Sequence, residues 1–269
     1  MSNSKIKSLS DRMKDYEDVS NVKLTKRTPV IVRIDGKAFH TYTRGLDKPF
    51  DEILAKAMQY VCEKLVKDVQ GCKLAYTQSD EISLLLTDWE KLTTDSYFDY
   101  RLQKIASVVA STATMYFNQY VTSMIMYLLD MPRVCDSVKM FDGVEFSENI
   151  LNVWVKKMGT AIFDARAFNL PKEEVCNYFL WRQQDATRNS IQSLGQSKFS
   201  QKQLDKKSTS DIQEMLFQEY GINWNDIDTK WKRGFCVCKN NTIDVDTEIP
   251  IFSQDRNYIE KFLEVEDEE

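Results

Sequence analysis

The run Tyr76-Thr77-Gln78-Ser79-Asp80-Glu81-Ile82-Ser83 sets two adjacent carboxylates between two apolar stretches, Cys72 to Tyr76 and Ile82 to Leu86. Each stretch has strand length and is rich in residues that suit a half-buried pleated surface, which predicts a β-hairpin with acid at its tip. Upstream, Thr28 to Ile34 is another strand-like run, and its hydrophobic pattern stops at Asp35-Gly36. Strands laid side by side would gather Asp35 with Asp80 and Glu81 at one edge of a sheet. Oxygen donors so placed suit a hard cation such as magnesium. A pair of such ions is the usual apparatus for moving phosphoryl or nucleotidyl groups.

The composition narrows the chemistry from the other side. His40 is the single histidine in 269 residues, which excludes multi-histidine zinc or iron centres and leaves a Ser-His or Cys-His nucleophile only that one base. Six cysteines (Cys62, Cys72, Cys135, Cys176, Cys236, Cys238) lie mostly in apolar stretches without a framework spacing, as free thiols do. Cys236 and Cys238 would share one face of a strand, but two ligands make no zinc site. Hydrophobic residues at 42% and charged residues at 29% describe a water-soluble globular chain of at most two lobes. A membrane helix needs roughly 20 apolar residues, and the longest candidate, Val121 to Leu129, is interrupted by Thr122, Ser123 and Tyr127. The first ten residues carry neither a secretory nor a clear transit pattern. The expected location is therefore the cytoplasm, with the mitochondrion as the alternative.

A net charge of -5 argues against sequence-blind coating of nucleic acid. The sign is unevenly spread, however. Arg182, Arg188, Lys198, Lys202, Lys206 and Lys207 form a basic segment able to meet a phosphate backbone, while the chain end from Glu264 to Glu269 is almost all acid.

In chain order, Leu9, Met13 and Tyr16 form a narrow apolar stripe that predicts a short helix packed on the body. The strand ending at Asp35 follows, and Asp51 caps a helix with Leu54, Met58, Val61, Leu65 and Val69 at helical spacing. After the hairpin a second long helix begins near Tyr97, with Ile105, Val108, Val109, Thr112, Tyr116 and Phe117 on its packed face. Lys104, Ser107 and Ser111 fall on another face, free to meet a ligand. Ala161 to Leu170 is the fourth strand. The order strand, helix, strand, strand, helix, strand defines an α+β fold with a ferredoxin-like βαββαβ core, the layout of polymerase palms. Residues 1–170 make this palm-like core, and residues 171–269 a helical C-terminal region packed on it. In that region the first helix breaks near Gly195, Ser208 to Tyr220 is a further helix, and Arg233 to Lys239 a short strand.

Neighbours on a strand point to opposite faces, so Asp80 is expected as the ligand shared with Asp35, and Glu81 in a different role. Gly36 allows close approach of backbone to a ligand; its carbonyl could ligate a metal, and the amides of Lys37, Ala38 and Phe39 could hold a triphosphate. Lys48, Lys104 and Ser79 would neutralise and orient the phosphates, and His40 would contact the nucleotide. Each piece alone also fits ordinary turn chemistry or a solvated face. Trp181 reads as core.

Arg33-Ile34-Asp35-Gly36-Lys37-Ala38-Phe39-His40, Lys48-Pro49, Gln78-Ser79-Asp80-Glu81, Phe163-Asp164-Ala165-Arg166 and Trp181-Arg182-Gln183-Gln184-Asp185 resemble, in order and spacing, the tRNA-histidine guanylyltransferase family over roughly residues 5 to 240. The resemblance implies a polymerase-like palm that adds nucleotides to the 5′ end of tRNA in the 3′-to-5′ direction. It also implies two magnesium ions on Asp35, the Gly36 carbonyl and Asp80, with ATP, GTP and other nucleoside triphosphates as substrates. Glu81 matches an activity-sensitive position, and Ser79, Lys48, Lys104 and His40 match nucleotide-handling residues. Where true tRNA-histidine guanylyltransferases carry a His-Ile-Asn-Asn type motif, this chain has Ala186-Thr187-Arg188-Asn189-Ser190-Ile191. That form is similar to the tRNAHis guanylyltransferase-like subgroup, which favours templated addition to 5′-truncated tRNA. Arg182, Arg188, Asn189 and Lys198 become candidates for RNA contact, and a homotetramer, a dimer of dimers, is the implied assembly. The alternatives are addition of the extra guanosine to tRNAHis, a palm-fold nucleotide cyclase, or a non-catalytic tRNA-binding protein.

Overall fold

The computed structural model describes residues 7–91, 93–131, 144–239 and 241–264, with the backbone of 138–141. Cys135 and the acidic end beyond Glu264 lie outside the described residues. The sheet is organised around β1 (Val30–Gly36), the hairpin β2 (Cys72–Gln78) and β3 (Glu81–Leu86), and β6 (Phe163–Asn169). Two later strands, β7 (Phe235–Lys239) and β8 (Ile243–Asp246), complete six strands in the order β6-β1-β3-β2-β7-β8. Every pairing is antiparallel. The order β6-β1-β3-β2 is the split βαβ arrangement expected from the pattern, and β7 and β8 return from the C-terminal region to extend it.

The period of two decides which face each strand residue serves. Val30, Val32 and Ile34 of β1 and Ile82, Leu84 and Leu86 of β3 face the first core. That core is closed by α3 (Glu52–Asp68) and α4 (Leu102–Asp130). Asp51 caps α3, its carboxylate accepting from the Leu54 amide at 2.9 Å. The buried stripe of α4 is Ile105, Val109, Ala113, Phe117 and Val121. It follows every fourth residue, so the expected Val108, Thr112 and Tyr116 fall at its half-buried flank, and the helix starts at Leu102 rather than near Tyr97.

On the opposite face Ile31, Tyr76 and Leu85 pack against Val175, Cys176 and Phe179 of α6 (Val175–Lys198). This helix does not break at Gly195. A Cβ there would lie 2.7 Å from Ile212 Cγ2, so the glycine admits close packing of α8 (Thr209–Tyr220), and propensity yields to that contact. Between these elements lie α2 (Phe39–Tyr42), the hairpin β4 (Val138–Phe141) and β5 (Val144–Ser147), and α5 (Glu148–Val155). Later come α7 (Gln201–Leu204), α9 (Thr229–Arg233) and α10 (Asn257–Glu260).

One expectation fails at the start of the chain. Helix α1 (Leu9–Asp18) forms, capped by Ser8 and Asp11, but buries none of its residues, and Leu9, Met13 and Tyr16 are exposed. Both faces of the sheet are already covered by α3, α4 and α6, and none of the core clusters among the described residues includes a residue of α1. The five described cysteines are free and buried. Among the described residues no helix is long and apolar enough to cross a membrane.

Candidate active site

Strand pairing brings the acidic residues to one end of the sheet. Asp35 stands opposite Glu81 on β3 and opposite Asp164 on β6. The β2–β3 turn is Ser79-Asp80, with Ser79 in the left-handed region at φ 51° and its hydroxyl donating to Asp80 at 3.1 Å. Burial lifts the Asp80 carboxyl above its usual range, and the charge of Asp35 beside it adds to the lift. Among the described residues Asp80 has no cation at ion-pair distance, and Asp35 has only Arg33 at 3.4 Å. Two neighbouring, incompletely neutralised carboxylates, with the Gly36 carbonyl next in the chain, offer hard oxygen donors of the kind magnesium takes, although among the described residues no group of three or more such side chains gathers.

The glycine has a different reason from the one its position suggested. A Cβ on Gly36 would fall 2.3 Å from Cδ2 of Phe39, so the space is taken by a ring of its own chain and not kept open for a ligand. That ring is buried, stacked on Tyr42 at 4.7 Å and packed on Phe117 and Phe163.

Strand alternation does not separate Glu81 from Asp35: the register pairs the two on the α6 face, and it is Asp80, in the turn, that stands apart. Oε2 of Glu81 accepts from Arg33 at 2.6 Å and from Arg182 at 3.2 Å, and Arg182 reaches on to Asp185 at 2.6 Å. Arg182 is 3% exposed. Burial is the largest influence on Glu81 and raises its carboxyl despite the pull of Arg182 and Arg33. Oε1 of Glu81 and Nε of both arginines have no partner among the described residues. A buried ionic cluster so composed adds little net stability. What it does is tie α6 to the strand that begins directly after Asp80.

Beside the hairpin tip opens a cleft of about 490 Å³. His40, Lys48, Ser79 and Asn189 line it, together with Arg44, Lys230 and the amide side chains of Gln78 and Gln196. At its wall Phe50 and Trp231 stack at 4.9 Å with planes 6° apart. Cations, hydroxyls and amides around a concave volume of this size, with the carboxylates of Asp47 and Asp51 in its wall and Asp80 next in the chain to Ser79, suit a nucleotide.

A family model described as tRNAHis guanylyltransferase matches residues 10–171, more than half of the sequence. The chain belongs to the tRNAHis guanylyltransferase family. A bacterial tRNA(His) guanylyltransferase-like protein solved in complex with ATP is 46% identical with a TM-score of 0.80, covering 95% of this chain and 99% of that one. The same description in complex with GTP accompanies a structure 41% identical with a TM-score of 0.74, covering 96% of this chain and 99% of that one. The tRNA(His) guanylyltransferase of Candida glabrata is 28% identical over 88% of this chain and 92% of its own length. The family's activity is nucleotidyl transfer, and the fold is the α+β palm that the strand order describes.

Against the residues that membership in the tRNAHis guanylyltransferase family suggested, the geometry sorts them. His40, Lys48, Ser79 and Asn189 meet in the cleft. The Lys37 amide does not point there, since it donates to the Ile162 carbonyl at 2.8 Å; the amides of Ala38 and Phe39 have no such partner among the described residues. Lys104 and Ser107 are exposed on the first turns of α4, about 20 Å and about 15 Å along the helix from Phe117 at ~1.5 Å per residue, so the single chain does not bring them to the carboxylates. Arg182 is corrected from an RNA contact to a buried partner of Glu81 and Asp185. Arg188 is exposed and pairs with Asp185; Lys198 is exposed at the end of α6, with its amine over the Tyr220 ring. Arg33, Asp185, Phe50 and Trp231 were not assigned from sequence. Arg33 and Asp185 sit inside the quoted motifs, but only strand register and helix phase show that Arg33 meets Glu81 directly and Asp185 through Arg182.

Proposed function

We propose that this chain adds nucleotides to the 5′ end of tRNA in the 3′-to-5′ direction, chiefly as templated repair of 5′-truncated tRNA. The observation that carries the proposal is the pair of neighbouring carboxylates Asp35 and Asp80, the second following directly on Ser79, which lines a cleft together with Lys48 and His40. A 5′-monophosphate end would take a nucleotidyl group from ATP or GTP with loss of pyrophosphate. The 3′-hydroxyl of the incoming nucleotide would then attack the activated 5′ phosphate and release the nucleoside monophosphate; a 5′-triphosphate end needs no activation. Magnesium held by Asp35, Asp80 and the Gly36 carbonyl would lower the pKa of the hydroxyl and stabilise the leaving pyrophosphate. Lys48 and Ser79 bind and orient the triphosphate from the cleft wall, and Arg33 and Arg182 hold Glu81 so that the hairpin tip keeps its position.

The Thr187-Arg188-Asn189-Ser190 segment supports templated addition over obligatory guanosine addition to tRNAHis, which is the second reading. The exposed apolar side chains of α1, with Met126 and Tyr127 of α4, support self-association, for which the family resemblance suggests a homotetramer. The test is addition to tRNA lacking its first nucleotide, with magnesium, ATP and all four nucleoside triphosphates, against Asp80→Ala. Addition that follows the template base and falls by at least about a thousand-fold in the variant is expected. Addition indifferent to Asp80, or none by the unaltered protein, would remove the proposal.

A further inference from the structure

Trp181 opens a motif whose Arg182 and Asp185 are already placed, yet its own side chain has no part in the chemistry above, and its environment is not that of a core residue. The residue is 53% exposed although it sits on α6 immediately before one that is 3% exposed. Its orientation is held from several sides. The Arg182 guanidinium carbon lies 4.0 Å from the ring centroid and that of Arg33 6.0 Å, and Tyr178 meets the ring edge-on at 6.0 Å. Through Arg33, which pairs with both Asp35 and Glu81, the indole is one side chain away from the metal-binding end of the sheet.

Its position relative to the cleft decides what it can serve. Ala186, Asn189, Ser190 and Ser193 of α6 line the cleft with Gln78 and Ser79 of β2, on the β2–β7 side of the carboxylates. Trp181 shares the Tyr178 face, and Tyr178 packs on Phe168 of β6, at the other edge. Two exposed arginines belong to that side. Arg166 stands opposite Arg33 in the β1–β6 register, so both lean toward the same face, and Arg188 follows Trp181 by two helical turns. Their side chains are 57% and 60% exposed, with Asp164 and Asp185 as their ionic partners.

We propose that Trp181 is the stacking platform for the terminal nucleobase of the RNA 5′ end, with Arg166 and Arg188 facing the adjoining phosphates. This rests on the function proposed above. Nucleotidyl transfer needs two substrates on opposite sides of the reacting phosphate, and the cleft accounts for the nucleotide. An exposed indole flanked by arginines is the combination by which proteins hold unpaired bases, because every base offers a π-face and the phosphate follows it. The guanidinium beneath the ring fixes its tilt.

The experiment is a binding cycle between the ring and the base. Affinity for truncated tRNA, read by anisotropy of a label at the far end, is measured for the unaltered protein, Trp181→Leu and Trp181→Tyr. Each is tested on tRNA with a normal and with an abasic 5′-terminal residue. ATP affinity is measured alongside. Expected are a loss of roughly ten-fold for Trp181→Leu on normal RNA, a much smaller loss for Trp181→Tyr, and an abasic penalty in the unaltered protein that vanishes in Trp181→Leu. ATP affinity should stay unchanged. An abasic penalty of equal size in all three proteins would overturn the inference. So would a parallel loss of ATP affinity, which would place the nucleotide's own base on Trp181. Binding needs no turnover, so failed nucleotide addition would sink the proposed function and leave this test standing. If Trp181→Leu does not fold, Trp181→Tyr and the abasic arm still decide it: no abasic penalty in the unaltered protein ends the proposal.

Discussion

Val30, Val32 and Ile34 leave β1 toward α3 and α4, whereas Ile31, Arg33 and Asp35 leave it toward α6, and the two sets are packed by different means. The first face is apolar along the whole strand. The second starts apolar at Ile31 and becomes ionic at its active end, where Glu81 is held between Arg33 and Arg182. Apolar packing tolerates exchange of shape so long as volume is kept, and it adds stability in proportion to area buried. An ionic cluster contributes little net stability, and its loss is severe because each removed partner strands a charge. In this chain the face that stabilises and the face that positions are thus separated by the pleat of one strand.

The largest expected effect breaks that comparison at Arg182. Arg182→Met leaves Glu81 buried with one cation fewer and should destabilise by about 3–5 kcal/mol with loss of nucleotide addition. Urea midpoints and activity assays check both. The double variant Glu81→Leu/Arg182→Met should recover most of the stability and none of the activity; recovery of both would mean that the ionic end does not position the site. Next in size is Leu84→Ala on the opposite face, expected to lower stability by about 2–4 kcal/mol while kcat of the folded fraction is unchanged. A selective fall in kcat would show that the apolar face also sets catalytic geometry.

The smallest effect is a titration. Burial pushes the Tyr178 phenol, hydrogen-bonded to Ser83, up to about 12 from its ordinary value of 10.0. Between those values the unfolded chain releases that proton and the folded chain keeps it, so stability falls as pH rises through the window. Tyr178→Phe should make the alkaline decline shallower by about 1.4 kcal/mol per pH unit at most, seen in urea midpoints between pH 10 and 12. An unchanged slope would mean that the polar face does not carry this linkage.

Much of this was legible beforehand because it is local. Alternation marked β1, β2 and β3, helical spacing marked α3, and the Ser79-Asp80 turn between apolar runs marked the hairpin tip. Asp35 and Asp80 could be paired in advance because a strand end and a turn define where a side chain is, if the strands neighbour each other. Other features were not legible. The segment from β4 through α5 carries too few residues per element to show a period, although it buries Leu151 and Trp154. Gly195 resembles a helix stop until Ile212 is seen against it. Lys104 lies on the free face of its helix as expected, yet at the end away from the carboxylates.

The sequence by itself determined the long periodic elements β1, β2, β3, α3 and β6 and the acidic tip, because backbone periodicity and turn chemistry act over a few residues. Tertiary structure alone decided which motif residues face water. Arg182 and Trp181 are adjacent in the chain, and both carry groups that nucleic acid can use. One is buried under the other, since α6 lies over the end of β1 and β3 in a phase that turns Arg182 toward Glu81 and leaves the indole outside. No local pattern contains that information, because burial is set by whatever surface arrives from elsewhere in the chain.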